Sequence, residues 1–242
     1  PRLGLMPTAG SRVRIGLLGG SFDPIHVGHL ALGRAAAIAL PLDEVRLIPT
    51  GQSWQKAPDQ TPAPDRLAMT RIAVDSIDAR RGRGEGQQQG REGHEPGARW
   101  TVDDIEVRRD GPSYTIDTLI ELRRRLGPEP ALVLVLGSDQ IRNLSTWQRW
   151  RELLDHAHIA VTRREQVPLT DLPPEIDAWY GEHGADSLGD APAGRVVSFR
   201  MPAVAVSASG IRQQLLRGED PGELLPPGVF DYLRRHRLYE NG

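Results

Sequence analysis

This chain reads as an α/β protein built on a doubly wound, mostly parallel sheet with closing C-terminal helices. Three features predict it. Short apolar runs of strand length alternate with longer helical runs through most of the 242 residues, the pattern of strands joined by crossover helices. Ala131 to Gly137, ALVLVLG, is apolar without alternation and is bounded by Pro130 and Gly137, as a central parallel strand covered on both faces should be. The first strand passes into its helix through a loop rich in glycine and histidine, at the kind of strand end where open α/β sheets take ligands.

The elements follow in order. Residues 1–11, PRLGLMPTAGS, lack the apolar core of a signal peptide and read as a disordered leader to a single domain over 12–240. Arg12 to Leu18, RVRIGLL, is the first strand, and the Ala- and Leu-rich run from Val27 to Leu40 is the first helix. Glu44 to Thr50 gives the second strand, and Arg66 to Ile77 a helix with apolar Leu67, Met69, Ile72, Ala73 and Ile77. Val102 to Val107 is a short strand. Tyr114 to Leu126 is a helix, opened by Ser113 or Thr115 and stopped by Gly127-Pro128. After ALVLVLG, Trp147 to Asp155 is helical, HIAVTRR (158–164) is a strand, and Arg195 to Phe199 is the last strand. Ser209 to Arg217 and Val229 to Arg237 are the closing helices. The whole is Rossmann-like. One stretch breaks the alternation: Arg80 to Arg99, RRGRGEGQQQGREGHEPGAR, holds almost no apolar residue and cannot repay its ordering entropy, so it reads as a disordered surface insertion.

Composition narrows the function classes. A formal charge of −2 gives no electrostatic reason to expect a nucleic-acid partner. No apolar run approaches a membrane span. The absence of cysteine excludes disulfides, thiolate nucleophiles and Cys-ligated zinc, and suits the cytoplasm. Lys56 is the sole lysine among 30 Lys and Arg residues. A lysine kept against such a bias toward arginine points to a task.

Gly19 to Ala31, GGSFDPIHVGHLA, carries the chemistry. Gly19 and Gly20 lack a Cβ, so their backbone can take φ > 0 and come close to a ligand, while Pro24 stiffens the loop. Unpaired N–H groups in the first helical turn, with the helix dipole, favour an anion there. His26 and His29 are three apart and project to one side near the helix start. A phosphate held between two imidazoles and a helix N-terminus has its developing charge spread during transfer. No GxxxxGK[ST] is present, so this is not a P-loop presenting a γ-phosphate.

At these residues the chain resembles the nucleotidyltransferase superfamily with the [HT]xGH signature, and the form GGSFDPIHVGH is most similar to bacterial nicotinate mononucleotide adenylyltransferases. The resemblance implies cleavage of ATP between its α and β phosphorus atoms, with His26 and His29 catalytic and Gly19, Gly20, Ser21, Phe22 and Gly28 around the ATP. VSASGIRQQLLRG (206–218) is similar to the family's ISSTxIR motif, with Ala208 at the second serine position; it implies that Ser207, Ser209 and catalytic Arg212 hold the β and γ phosphates. Read by themselves, these residues are a helix cap and a cation near a helix start, where a cation is unfavourable without an anion. LGSDQ (136–140) matches a G[SA]D segment lining the nucleotide site, which assigns Gly137 and Asp139 to ATP; Asp139 could otherwise cap the following turn.

GPSYTIDTL (111–119) by itself says only turn, cap and helix. In the resembled family PSYT followed by TL marks the nicotinate enzymes, which assigns Ser113, Tyr114 and Thr115 to the pyridine substrate. Trp147 corresponds to the residue that stacks on the pyridine ring, a contact suited to an aromatic face, while Trp150 is read as packing. Arg163 ends a strand where it could reach a substrate phosphate or form a surface ion pair. Around Lys56 the chain departs from the usual PPHK or PHR and reads GQSWQKA; the basic position survives, which implies a phosphate contact. LPPGVFDYLRRHRLY (225–239) is similar to the family's terminal PxxVxxYIxxxxLY.

The implied reaction is transfer of the adenylyl group of ATP to nicotinate mononucleotide, giving nicotinate adenine dinucleotide and pyrophosphate. Its partners are these two small molecules. Magnesium is expected to ride mainly on ATP phosphates and water, with no metal ligand assigned to the protein. A homo-oligomer is left open. Nicotinamide mononucleotide or another small phosphate as acceptor, and a non-catalytic ATP-binding regulator, are the alternatives.

Overall fold

The computed structural model of the protein describes residues 12–53, 61–82, 97–164 and 172–239. Six strands, β1 (Arg14–Gly20), β2 (Glu44–Pro49), β3 (Arg99–Val102), β4 (Ala131–Leu136), β5 (His158–Arg164) and β6 (Val196–Met201), form one sheet in the order β3-β2-β1-β4-β5-β6. Every pairing is parallel. The chain winds from β1 outward to β3, then returns to lay β4 on the other side of β1. The order therefore reverses between β1 and β4, and the crevice beyond their carboxyl ends is the place such a sheet offers a ligand.

Helices α1 (Val27–Ala39), α2 (Ala63–Gly82), α7 (Ala208–Leu216) and α8 (Val229–Arg235) cover one face. Helices α3 (Thr115–Leu126), α4 (Ser138–Arg142), α5 (Leu153–His156) and α6 (Pro174–His183) cover the other. β4 explains its own composition: Val133 and Val135 enter the first core, Leu132, Leu134 and Leu136 the second. A strand with no solvent face has no polar positions to alternate.

Several elements differ from the sequence expectation. α2 runs on to Gly82, and β3 begins at Arg99, so the biased stretch is shorter at both ends than residues 80–99; residues 83–96, like the leader 1–11, lie outside the described residues. The third strand lies at Arg99–Val102 and not at 102–107 because Trp100, 4% exposed, is what the core takes from this segment. Beyond Val102 the Asp103 carboxylate accepts from the Ile105 N–H at 3.1 Å, an Asx turn that leaves the sheet. The expected helix over Trp147 to Asp155 is broken: Arg149 is left-handed (φ 50°), short 3₁₀ turns occupy Leu144–Thr146 and Trp150–Glu152, and only Leu153–His156 is α-helical. Trp147 and Trp150 thus share no helix face. α6 is an additional helix, entered through Pro174 at its first position, where the missing N–H costs nothing. Among the described residues no helix is long and apolar enough to cross a membrane.

Candidate active site

The loop after β1 delivers both histidines. His26 is the N-cap of α1 in extended conformation, and His29 is the third residue of the helix. His29 Nδ1 accepts a hydrogen bond from the His26 N–H at 3.2 Å. With Nδ1 so occupied, the neutral ring carries its proton on Nε2. The two rings stack with centroids 3.7 Å apart and planes 24° from parallel. Phe22 holds the second ring from the side, edge-on at 5.0 Å and 87°. His26 is buried, and burial lowers its pKa to about 4, so it is a neutral imidazole at pH 7. Its Nδ1 is buried with no hydrogen-bond partner among the described residues.

The glycines act by space, not by positive φ. Neither Gly19 nor Gly20 is left-handed; Phe22 is, at φ 48°. That turn folds the Phe22 ring beneath Gly20, where a Cβ would lie 2.8 Å from it. The Phe22 side chain is fully buried, so it positions His29 and does not face the cleft. In front of Gly19 a Cβ would meet nothing within 4 Å, leaving its exposed backbone open to a ligand. At Gly28 a Cβ would lie 2.7 Å from Val206 Cγ1 and 3.1 Å from the His26 ring. The glycine between the histidines lets the start of α1 touch the segment leading into α7.

That segment brings the third motif. Ser207 is the N-cap of α7, its Oγ accepting from the Gly210 N–H at 3.1 Å and lying 3.3 Å from Ser209 Oγ. Both serines are exposed. Arg212, one turn in, donates through Nη1 to the Asp23 carbonyl at 2.6 Å. It is therefore tied to the same loop as the histidines, though its side chain does not line the cleft they share.

A cleft of about 170 Å³ lies beyond the carboxyl ends of β4 and β5. His26, Gly28, His29 and Leu32 of α1 form one part of its lining, Gly137, Ser138 and Asp139 another, Thr162 a third, and Met201 to Val204 with Val206 the rest. Asp139 is an exposed side chain in the first turn of α4 and does not cap it; Gln140 Oε1 accepts from the Gly137 N–H at 3.0 Å instead. Arg163 is exposed at the end of β5 and is not part of the lining. Lys56 lies outside the described residues.

Residues 17–214 match the cytidylyltransferase-like family. A protein of Laribacter hongkongensis named probable nicotinate-nucleotide adenylyltransferase is 42% identical over 231 residues, covering 95% of this chain and 96% of that one. One of the same name from Bordetella petrii is 40% identical, over 93% of this chain and 98% of its own. The chain belongs to the nicotinate-nucleotide adenylyltransferase family. The nicotinic acid mononucleotide adenylyltransferase of Plasmodium falciparum, solved with NaAD, shares the fold of this family member at TM-score 0.66 and 18% identity, over 94% of this chain and 97% of that one.

The residues that the resemblance ties to the pyridine lie on the α3 side of the sheet. Ser113 is buried and structural in its contacts: its Oγ accepts from the Gly51 N–H at 3.2 Å, and its N–H donates to the Gln52 carbonyl at 2.9 Å. Tyr114 is the N-cap of α3 without a side-chain cap bond, and Thr115 is the first helical residue. Tyr114 and half-buried Trp147 pack against the same core cluster. Trp150 is buried in it, edge-on to Trp179 at 5.4 Å.

Sequence reasoning did not single out the residues that hold these loops together in this adenylyltransferase. Arg66, 1% exposed, donates to the carbonyls of Thr61, Ser21 and Gly51 at 2.8, 2.7 and 2.8 Å, joining the loops after β1 and β2. The Asp23 carboxylate accepts from Tyr239, whose hydroxyl also accepts from Thr61 at 2.9 Å. Burial and the Asp23 carboxylate push the Tyr239 phenol well above its ordinary range. Glu106 is buried beneath Ser113, accepts from Thr118 at 2.8 Å, and has its carboxyl pushed up by burial. One arginine among many gives no signal in a sequence; Asp23 and Tyr239 do lie in the motifs that carry the resemblance.

Proposed function

We propose that the protein transfers the adenylyl group of ATP to the 5′-phosphate of nicotinate mononucleotide, forming nicotinate adenine dinucleotide and releasing pyrophosphate. The observation that carries the proposal is the stacked pair of His26 and His29 at the start of α1, at the reversal of strand order, in one cleft with Gly137 to Asp139. The acceptor phosphate is ionised near pH 7 and needs no general base. Its oxygen forms the new bond to the α-phosphorus while the bond from that phosphorus to the bridging oxygen breaks, the electron pair leaving with pyrophosphate. The His29 Nε2–H donates to a non-bridging α-phosphoryl oxygen, and the partnerless Nδ1 of His26 offers a further polar atom beside it. Arg212, Ser207 and Ser209 receive the β and γ phosphates, with Lys56 reaching the same anion. Catalysis then rests on alignment and charge stabilisation.

Magnesium fits this donor set only as a passenger of the triphosphate. Among the described residues no three His, Asp or Glu side chains gather to hold a metal ion, and of the carboxylates near the cleft Asp23 is engaged by Tyr239 while Asp139 is exposed. When bound through phosphate oxygens and water, the ion neutralises charge on the departing pyrophosphate.

For the acceptor, the uncapped start of α3 at Thr115 offers free backbone N–H groups to the pyridine carboxylate, and Trp147 offers a ring face. Exposed Arg163 is within the same reading as a contact to the mononucleotide phosphate. On this reading the enzyme works in the cytoplasm. The test is pyrophosphate release on mixing the protein with ATP and either nicotinate or nicotinamide mononucleotide. Release with the acid at well above the rate with the amide supports the proposal. Equal rates remove the carboxylate assignment, and ATP binding without release leaves a regulator.

A further inference from the structure

Thr162 is a buried hydroxyl that the fold does not use. It is 7% exposed, its Oγ1 has no hydrogen-bond partner among the described residues, and the residue lines the cleft beside the two histidines. A desolvated hydroxyl left unpaired weakens a folded protein, and valine would fill the same shape without that cost. Packing therefore gives no reason for threonine at this position. A ligand does.

Its surroundings identify the part of the ligand. Val161 pairs with Leu136 at the end of β4, so Thr162 is level with Gly137, where the chain leaves that strand. Leu32, Met201, Pro202, Ala203 and Val204 give the cleft an apolar wall, with Gly137 to Asp139 completing the lining beside Thr162. An apolar wall with a few polar groups beside it suits a flat heterocycle and not a phosphate. The anion-binding groups, the start of α1 and the Ser207–Arg212 segment, belong to the other end of the ligand.

We infer that Thr162 Oγ1 hydrogen-bonds the polar edge of the nucleobase of the bound triphosphate and so contributes to its affinity. This rests on the reading of the cleft as an ATP site. A hydroxyl can both donate and accept, so it can meet a ring nitrogen or an exocyclic amine.

The experiment is calorimetric titration of ATP, and separately of nicotinate mononucleotide, into wild type, Thr162→Val, Thr162→Ala and Thr162→Ser, with melting of each unliganded protein. Thr162→Val should melt no lower than wild type and bind ATP about tenfold more weakly, the effect of one buried hydrogen bond. Its affinity for the mononucleotide should be unchanged. Thr162→Ala should show the same loss for ATP, and Thr162→Ser should stay within about twofold of wild type. Wild-type ATP affinity in Thr162→Val overturns the inference while leaving the ATP site standing. A lowered melting temperature with equal loss of both ligands makes Thr162 a packing residue. If wild type itself binds no ATP, the reading of the cleft fails and takes this inference with it.

Discussion

Arg212 donates to the carbonyl oxygen of Asp23 at 2.6 Å across 189 residues of sequence, and so binds the entry of α7 to the loop that opens α1. The proposed ligand of the β and γ phosphates is held by the segment that carries the proposed catalytic histidines. Removing the guanidinium should therefore act on both. Arg212→Ala is expected to lower kcat by roughly a hundredfold or more and stability by about 2 kcal/mol. Arg212→Lys should restore most stability but little turnover, because a point charge does not reproduce a planar fork. Full turnover in Arg212→Ala would dismiss its role with phosphate.

The proton on His29 Nε2 depends on the hydrogen bond that its Nδ1 accepts from His26 N–H. His29→Ala should cost roughly a hundredfold in kcat with the KM for both substrates nearly unchanged, as for loss of a donor that acts mainly in the transition state. Stopped assays at saturating ATP measure this directly. A rise in KM at constant kcat would make His29 a binding residue only.

Acid should reveal the buried state of His26. Its pKa is about 4 folded against 6.5 unfolded, so between these values the unfolded chain binds more protons. Stability is complete above pH 6.5, declines as pH falls through this window, and levels off near 4. Full passage costs on the order of 3 kcal/mol from this residue. His158, wholly buried and shifted the same way by burial, adds its own part. Urea unfolding of His26→Asn from pH 7 to pH 4.5 should show a shallower decline than wild type; parallel declines would refute the assignment.

Gly28 is predicted to matter through Val206. In Gly28→Ala the new methyl meets Val206 Cγ1 at 2.7 Å and the His26 ring at 3.1 Å, so the His26 ring or the α7 entry must move. Turnover should drop about tenfold or more for a displacement of a few tenths of an ångström up to 1 Å. Val206→Ala in the same chain should recover part of it, a coupling that a double-mutant cycle reads. Additive losses would show that the two residues do not share this contact.

Arg66 should prove more costly than its anonymity in the sequence suggests. Its guanidinium serves three carbonyls in the loops after β1 and β2, and Arg66→Met would take that donor from all three. A loss of roughly 3–5 kcal/mol is expected by urea unfolding. ATP affinity should fall as well, because Ser21 lies in the loop proposed to hold the nucleotide. A stable variant with unchanged affinity would show that water replaces the guanidinium.

The sheet was legible where one residue pattern dominates. ALVLVLG marks β4 because both faces are covered, and GGSFDPIHVGH marks the β1 to α1 passage because few other tasks combine those residues. Errors arose where long-range packing decided local structure. Trp100, just past the stretch whose composition reads as insertion, is drawn into the core, and the left-handed Arg149 breaks a run with good helical spacing. α6 has only Ile176 and Trp179 buried in ten residues, too sparse a stripe to stand out. In the site, the two histidines, the serines and Arg212 carry motif signals. Arg66, Glu106 and Thr162 carry none, since what sets them apart is burial and the partners they have or lack.

The partners of Asp23 come 189 and 216 residues later, as Arg212 and Tyr239. A growing chain on the ribosome therefore presents its histidine loop long before these two ties can form. Synthesis arrested just short of Arg212 would leave all six strands made but neither tie on that loop, so the C-terminal segment completes a site that the first strand opens.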